Sequence, residues 1–255
     1  MMHSARREII RDLLQSHPFL SLHDLEARFP DVSSMTLRRD IEYFEREGEA
    51  IKVRGGARSM KFITTSMEDA FNQRLKKNTN AKEKIAERAA AMIETGRSIF
   101  LDSGTTMQYL AERLPDERLT ITTTGINIAM ALMNKIHPIV NVVGGMLNRD
   151  SISVSGIQAT QFLESINIDI AFIVPSGISG RTGLTSGNYI ECELKRMIVE
   201  KARRVIVLMD SSKLDKALPY TFCSIDQIDT IITDDELSYD VMKKAQEHGV
   251  EVIIA

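Results

Sequence analysis

The chain of 255 residues contains no tryptophan and only two cysteines, Cys192 and Cys223. Two distant cysteines match neither a disulfide framework nor the closely spaced sets that bind zinc or carry out redox chemistry, so we interpret them as free thiols of a cytosolic protein. Long apolar runs are also missing, since no stretch reaches the roughly 20 residues that a membrane-spanning helix needs. The N-terminal residues lack the apolar segment of a signal peptide. We therefore expect a cytoplasmic protein with no membrane partner.

An excess of charge of one sign is also absent. The formal net charge is −3, so any attraction to nucleic acid or to a membrane surface must come from a local cluster of charges. The five histidines are scattered without a metal-binding spacing, and we expect no metal and no cofactor. Apolar residues make up 43% of the chain and charged residues 26%, which is typical of a globular protein with one or two domains.

Three short helices are predicted in the N-terminal segment. The first spans Ser4–Gln15, and the second begins after Ser21, whose hydroxyl is suited to cap it. The third runs from a cap at Ser33 or Ser34 to Gly48. Beyond it, residues 50–53 and a Gly-Gly turn at 55–56 predict a small β-hairpin. Three helices followed by a hairpin are typical of a winged helix-turn-helix domain, which we assign to residues 1–58.

The third helix carries the candidate DNA contacts. Leu37, Ile41 and Phe44 are spaced to face inward, which leaves Arg38 and Arg39 on the exposed side. Arginines near the N-terminal end of an exposed helix suit the major groove, where they pair with guanine edges or phosphates. The candidate DNA-binding residues, including two from the hairpin, are Ser33, Ser34, Met35, Thr36, Arg38, Arg39, Arg54 and Arg58. The alternative is a helical bundle with solvated arginines, because acidic residues nearly balance basic ones here.

Residues 59–75 are predicted to be a linker, and residues 76–255 an α/β domain with a largely parallel sheet. The pattern alternates strands with helices, and several strands are continuous apolar runs, as expected of parallel strands buried on both faces. The predicted strands are Ser98–Leu101, Leu119–Thr122, Ile139–Val143, Ile168–Val174, Val205–Leu208, Thr230–Ile232 and Val250–Ile254. The predicted helices between them include Ile126–Asn134, Gln158–Ser165, Tyr189–Lys201 and Tyr239–His248.

Loops rich in glycine and hydroxyl side chains follow the first five of these strands. Since the carboxyl ends of parallel strands share one edge of a sheet, the loops are expected to meet there and to bind a ligand. Amides, hydroxyls and cations suit a phosphate, and a helix N-terminus after Gly104 favours an anion. The candidate ligand-binding residues are Asp102, Ser103, Gly104, Thr105, Thr106, Thr123, Thr124, Gly144, Gly145, Arg149, Gly177 and Lys213. For any single loop, ordinary turn and capping chemistry is the alternative.

The chain resembles a known family at both ends. The run VSSMTLRRDIEYFEREG followed by KVRGGA resembles the N-terminal signature of the DeoR family of bacterial transcription regulators. LDSGTT, VVGG, DIAFIVPSGIS and MDSSK resemble the sensor domain of that family, which is similar in fold to ribose-5-phosphate isomerase and binds a phosphorylated sugar. The resemblance implies that Lys213 contacts the ligand, and it adds Glu193 and Lys195, at positions where members often carry a Glu and a Lys.

Three functional hypotheses follow. The first is a repressor that binds operator DNA and is controlled by a phosphorylated sugar, acting as a homodimer or higher homo-oligomer because two half-sites need two DNA-binding heads. The second is a sugar-phosphate isomerase, with Lys213, Asp210 and Glu193 as candidate acid, base and electrostatic groups. The third is an architectural DNA-binding protein without an effector. An isomerase has no use for the arginines of a DNA-reading helix, so the first hypothesis is preferred and no enzymatic activity is expected.

Overall fold

The computed structural model describes residues 3–17, 19–53, 55–59 and 71–255. The chain divides into two compact units, Met1–Met67 and Glu68–Ala255, and each is described by itself. The predicted bounds of the DNA-binding domain, the linker and the sensor domain stay a prediction.

The N-terminal unit contains three helices and a three-stranded antiparallel sheet in the order β1-β3-β2. Its elements are α1 (His3–Ser16), β1 (Phe19–Ser21), α2 (Leu22–Arg28), α3 (Ser34–Arg46), β2 (Ala50–Val53) and β3 (Gly56–Ser59). The three helices and the hairpin predicted from the sequence are therefore present. Strand β1 was not predicted, because three residues are too few to show the alternation of a strand.

Apolar side chains from all three helices form the core of this unit. Ile10 and Leu14 of α1 pack with Leu25 of α2 and with the inward face of α3. That face consists of Leu37, Ile41 and Phe44, as its spacing predicts, and all three are buried. The opposite face of α3 is consequently left at the surface.

The C-terminal unit is an α/β domain around a seven-stranded parallel sheet in the order β15-β14-β12-β9-β4-β5-β6. Its helices are α4 (Phe71–Leu75), α5 (Thr79–Ala90), α6 (Thr105–Arg113), α7 (Ile126–Leu132), α8 (Ile157–Glu164), α9 (Tyr189–Lys201) and α10 (Tyr239–Glu247). The sheet strands are β4 (Ser98–Leu101), β5 (Thr120–Thr123), β6 (Ile139–Val142), β9 (Ile170–Ile173), β12 (Arg204–Leu208), β14 (Thr230–Thr233) and β15 (Glu251–Ile254).

All seven predicted strands lie in this sheet, with bounds that differ from the prediction by at most two residues. The remaining strands of this unit were not predicted, and they form two small antiparallel sheets. They are β7 (Met146–Asn148), β8 (Ser153–Ser155), β10 (Gly177–Ser179), β11 (Gly183–Ser186) and β13 (Tyr220–Cys223). Helix α4 lies within the segment assigned to the linker, and its Phe71 is buried.

The central strands of the parallel sheet are buried on both faces, whereas the edge strands β6 and β15 are partly exposed. Alternate residues of the central strands enter different apolar clusters: Ala171 and Ile173 of β9 belong to one, whereas Ile170 and Phe172 belong to the other. Because both faces are covered, the carboxyl edge of the sheet and its loops are left as the place for a ligand. Within the described part of the chain, we find no helix with the length and apolar character that crossing a membrane requires.

Candidate functional site

The N-terminal end of α3 presents the predicted DNA contacts at the surface. Met35, Arg38 and Arg39 are exposed. The hydroxyl of Ser33 accepts a hydrogen bond from the Thr36 amide at 3.3 Å and therefore caps the helix. This resolves the choice of cap, since Ser34 is the first helical residue and its hydroxyl donates instead to Glu26 of α2 at 2.5 Å.

Helix α3 is held against α1 by a buried ion cluster. Both Asp40 carboxylate oxygens accept hydrogen bonds, one from Arg6 Nε at 2.6 Å and one from Arg7 Nε at 2.9 Å. Arg7 also lies over the ring of Tyr43, 3.8 Å from its centroid. Asp40 is fully buried, so it does not add negative charge to the exposed side of α3 beside Arg38.

The hairpin β2–β3 carries the predicted wing contacts. Lys52 of β2 donates to Glu42 of α3 at 2.6 Å, and this ammonium lowers the pKa of the Glu42 carboxyl. Arg58 lies in β3, opposite Phe19 on one side and Ile51 on the other. Arg54 and the side chain of Arg58 lie outside the described residues, so their predicted contacts with DNA stay a prediction.

In the C-terminal unit, the segment Asp102–Thr106 joins β4 to α6 as predicted. Gly104 precedes the helix with φ of +121°, a backbone conformation that side chains with a Cβ rarely adopt. Within the described residues no side chain caps α6, in contrast to α3, so the first amides of the helix find no hydroxyl or carboxylate acceptor there. Thr105 and Thr106 are buried in the first turn.

Asp102 forms a buried ion pair with Lys195 of α9. Lys195 Nζ donates to Asp102 Oδ2 at 2.6 Å and to the Val174 carbonyl at 2.6 Å, and the two side chains are 7% and 2% exposed. The amides of Val174 and Ser103 also donate to the carboxylate. Burial raises the pKa of the Asp102 carboxyl, while Lys195 and these amides oppose the rise. The pair thus joins β4, the end of β9 and α9.

A small pocket lies beside this ion pair, where β4 and β5 end. It is lined by Asp102, Ser103, Thr124, Ser153, Val154, Ser155, Glu191, Leu194 and Lys195. Strand β8 reaches it because the Val154 amide donates to the Thr124 carbonyl at 2.8 Å. Hydroxyls, two carboxylates and an ammonium therefore surround one cavity, which is chemistry suited to a small polar ligand.

Glu191 was not among the predicted residues. Its Oε1 accepts hydrogen bonds from Asn148 at 2.9 Å, Ser151 at 2.6 Å and Ser153 at 2.5 Å. These contacts fix the carboxylate against the β7–β8 hairpin, at the wall of the pocket. Such a carboxylate is suited to accept hydrogen bonds from ligand hydroxyls.

Glu193 does not line this pocket, and its predicted role in ligand binding stays a prediction. Glu193 is exposed on α9 and pairs with Arg196. Helical periodicity explains the difference, because residues two positions apart point to different sides of a helix whereas residues four apart share one. Glu191 and Lys195 have the latter spacing, and both line the pocket.

The other predicted ligand residues divide into two groups. Asp102, Ser103 and Thr124 line the pocket, and Gly104, Thr105, Thr106 and Thr123 adjoin them in the chain. The remaining five do not line it: Gly144, Gly145, Gly177 and Lys213 follow strands of the parallel sheet at the same edge, whereas Arg149 follows β7 of another sheet. Gly145 is needed for packing, since a Cβ there would lie 2.5 Å from the Ser155 carbonyl oxygen. Arg149 is exposed in the turn between β7 and β8.

The sequence therefore identified one wall of the pocket and missed the other, which consists of β8 and the first turns of α9. The resemblance to the family did point to one residue of this second wall, Lys195. Among the described residues, no group of three or more histidine, cysteine, aspartate or glutamate side chains is placed to hold a metal ion.

Comparison with known proteins identifies a family domain in each part of the chain. The model of the DeoR C terminal sensor domain matches residues 77–235, and that of the DeoR-like helix-turn-helix domain matches residues 6–62. The chain is 32% identical over 251 residues to the HTH-type transcriptional regulator GolR of Listeria innocua serovar 6a, covering 98% of each.

Two further similarities extend the comparison. The chain is 28% identical over 253 residues to the glycerol-3-phosphate regulon repressor of Escherichia coli K12, covering 99% of each. Ribose 5-phosphate isomerase A of Methanocaldococcus jannaschii is 21% identical with a TM-score of 0.41, covering 55% of this chain and 56% of that one. From the two family matches and the identity along nearly its whole length, the chain belongs to the DeoR family of bacterial transcription regulators.

Proposed function

We propose that this protein represses a carbohydrate-utilisation operon by binding operator DNA through α3, and that a phosphorylated sugar in the pocket of its sensor domain releases the DNA. The observation that carries the proposal is the presence in one chain of exposed arginines on a DNA-reading helix and a polar pocket at the carboxyl edge of a parallel sheet. The Escherichia coli relative is named as the repressor of a glycerol-3-phosphate regulon, which supports an effector of this chemistry.

Each part of the ligand has suitable partners. The uncapped N-terminus of α6 offers amide donors to the phosphate, because helix N-termini favour anions. Glu191 and the hydroxyls of Thr124 and Ser153 are placed for sugar hydroxyls. For release to occur, the effector must bind the form with low operator affinity more tightly than the other form.

The isomerase hypothesis has weaker support. It assigns acid–base roles to Glu193, Asp210 and Lys213. Glu193 pairs with Arg196 outside the pocket, and neither Asp210 nor Lys213 lines it. We therefore expect no turnover of pentose or hexose phosphates, and steady-state conversion of either would overturn the assignment as a regulator without enzymatic activity.

Thermal unfolding of the full chain with a panel of sugar phosphates tests the effector. A sugar phosphate present at 100 times its Kd should stabilise the folded chain by about 2.7 kcal/mol, visible as a higher Tm. Thr105→Glu should abolish this shift, because a carboxylate at the start of α6 repels the phosphate. Thr105→Val, which removes only the hydroxyl, should retain most of it.

The same variants test release of DNA. With duplex DNA selected by the protein from a random pool, the wild type should lose DNA on addition of the stabilising sugar phosphate, whereas Thr105→Glu should stay bound. If no sugar phosphate in the panel raises the Tm, the result favours the hypothesis of an architectural DNA-binding protein without an effector. If Thr105→Glu responds like the wild type, the phosphate does not bind at α6.

A further inference from the structure

The two edge strands of the parallel sheet differ in the charge that they carry. Strand β6 forms one edge and, in the described part of the chain, pairs only with β5. Its sequence, Ile139–Val142, contains no charged residue and no proline, the two devices that commonly prevent an edge strand from pairing with another chain. Strand β15 at the opposite edge carries Glu251, which pairs with Arg204.

Large apolar side chains are exposed on β6 and on the segments that flank it. They come from α7 and the loop after it, from β6 itself and from β7. They are Met130, Met133, Ile136, Ile139, Val142, Met146 and Leu147, each between 48% and 84% exposed. We call these seven residues the β6 surface. Seven exposed large apolar side chains in the consecutive elements α7, β6 and β7 and the loop after α7 favour an interaction site over the scattered exposure that is usual at a surface.

The β6 surface also lacks charge of its own. Between residues 126 and 148 the sequence has a single lysine or arginine, Lys135, and no acidic residue, although 26% of the whole chain is charged. The ammonium of Lys135 donates to the Leu114 carbonyl at 2.7 Å. The backbone amide of the neighbouring His137 donates to the Asp116 carboxylate at 2.9 Å and lowers the pKa of that carboxyl.

We propose that the β6 surface binds the same surface of a second copy of this chain, in a two-fold symmetric dimer. In such a contact each patch meets itself, so a charged patch would repel its partner, whereas an uncharged apolar patch is complementary to its own copy. A partner of opposite charge has nothing to recognise there. The unpaired edge of β6 supplies backbone donors and acceptors that an antiparallel second β6 can satisfy.

The oligomeric state of the full chain in solution tests this proposal. Ile139→Lys combined with Val142→Lys places four like charges in the contact of the dimer. Both side chains are exposed, so the fold of the single chain should tolerate the change. Analytical ultracentrifugation should give at least a twofold multiple of the chain mass for the wild type, and a dissociation constant at least 100-fold higher for the double variant.

Ile254→Lys is the matched control. It adds a lysine at a comparably exposed isoleucine on β15, the other edge strand of the same sheet. This variant should keep the mass of the wild type. A wild-type chain that is monomeric at 100 µM overturns the proposal, as does an assembly that survives the double variant or is broken by Ile254→Lys.

A second pair of substitutions guards against misfolding. Met133→Lys with Ile136→Lys changes the loop before β6, where the two side chains are 78% and 84% exposed. Far-ultraviolet circular dichroism and the Tm should match the wild-type chain at a concentration where that chain is monomeric. Folded variants that still assemble with wild-type affinity contradict the proposal.

Discussion

The two candidate sites differ in how far their positively charged side chains are exposed to solvent. On α3, Arg38 and Arg39 extend into solvent, whereas in the sensor pocket Lys195 is buried and paired with Asp102. An exposed arginine keeps its hydration and contributes little to folding, so it remains available to a polyanion. A buried ammonium has lost its hydration and needs a counterion within the fold. Substitution of the α3 arginines should therefore change DNA binding without changing stability, whereas substitution of the pocket ion pair should change both ligand binding and stability.

The largest effect is expected from Lys195→Met. This change leaves the Asp102 carboxylate buried without its cation, and breaking a buried pair in this way costs about 3–5 kcal/mol. The free energy of unfolding of the full chain, measured by urea denaturation, should fall by that amount. The double variant Asp102→Asn with Lys195→Met should recover part of the loss, since no unpaired charge is then buried.

Glu193→Gln is the control for the buried pair. It weakens an ion pair on the exposed side of the same helix, between Glu193 and Arg196, and should change stability by no more than about 0.5 kcal/mol. An equal loss in Glu193→Gln and Lys195→Met would mean that burial of the Asp102 pair does not determine its contribution.

Arg38→Ala with Arg39→Ala should act on DNA binding alone. Loss of two arginine contacts is expected to weaken operator affinity by about 100-fold, measured by fluorescence anisotropy. The free energy of unfolding should stay within about 0.5 kcal/mol of the wild type, because both side chains are solvated. The Tm shift caused by the sugar phosphate should also be unchanged.

Arg46→Ala is the matched control for this pair. Arg46 is exposed at the C-terminal end of the same helix, where it contacts the Glu42 carbonyl. Its loss should weaken DNA binding much less than the double variant. A comparable loss of DNA affinity in Arg46→Ala and in the double variant would indicate that α3 attracts DNA only through its overall charge. The salt dependence of the affinity would then not show which end of α3 faces the DNA.

Much of this fold could be predicted because its strands are short apolar runs. Ile170–Ile173 and Arg204–Leu208 are buried on both faces, and such runs are visible in the sequence without knowledge of their partners. Strand β11 is different. Its sequence GLTS resembles a turn, and it forms a strand because it pairs with β13. Leu184, for example, lies opposite Cys223. Local patterns do not contain that information.

The residues of the pocket also differ in whether the sequence alone could identify them. Asp102–Thr106 could be predicted because a strand, a glycine turn and a helix start follow one another in the chain. The opposite wall belongs to α9, and Lys195 is brought to Asp102 by packing between residues 93 positions apart. The burial of Leu194 and Ile198 on α9 indicates which side faces inward, so helical periodicity combined with the resemblance would have favoured Lys195 over Glu193.

The smallest expected effect distinguishes a helix cap from a DNA contact. Ser33 was predicted to bind DNA, yet its hydroxyl is engaged with the amide and the hydroxyl of Thr36. Ser33→Ala should therefore lower the free energy of unfolding by about 1 kcal/mol, the usual cost of losing an N-cap. Ser34→Ala, which removes an exposed hydrogen bond to Glu26, should cost less. Urea denaturation measures both changes.

DNA affinity completes this comparison. If Ser33 acts as a cap, Ser33→Ala should reduce operator affinity less than Arg38→Ala, because the base and phosphate contacts of the arginine remain. In the described part of the chain no side chain caps the start of α6, so inorganic phosphate should stabilise the sensor domain against unfolding without restoring the stability lost in Ser33→Ala. A Ser33→Ala variant with wild-type stability and a DNA affinity as low as that of Arg38→Ala would instead make Ser33 a direct DNA contact. The start of α3 would then differ from the start of α6 in the ligand that it binds, DNA or phosphate, and not in whether a side chain caps it.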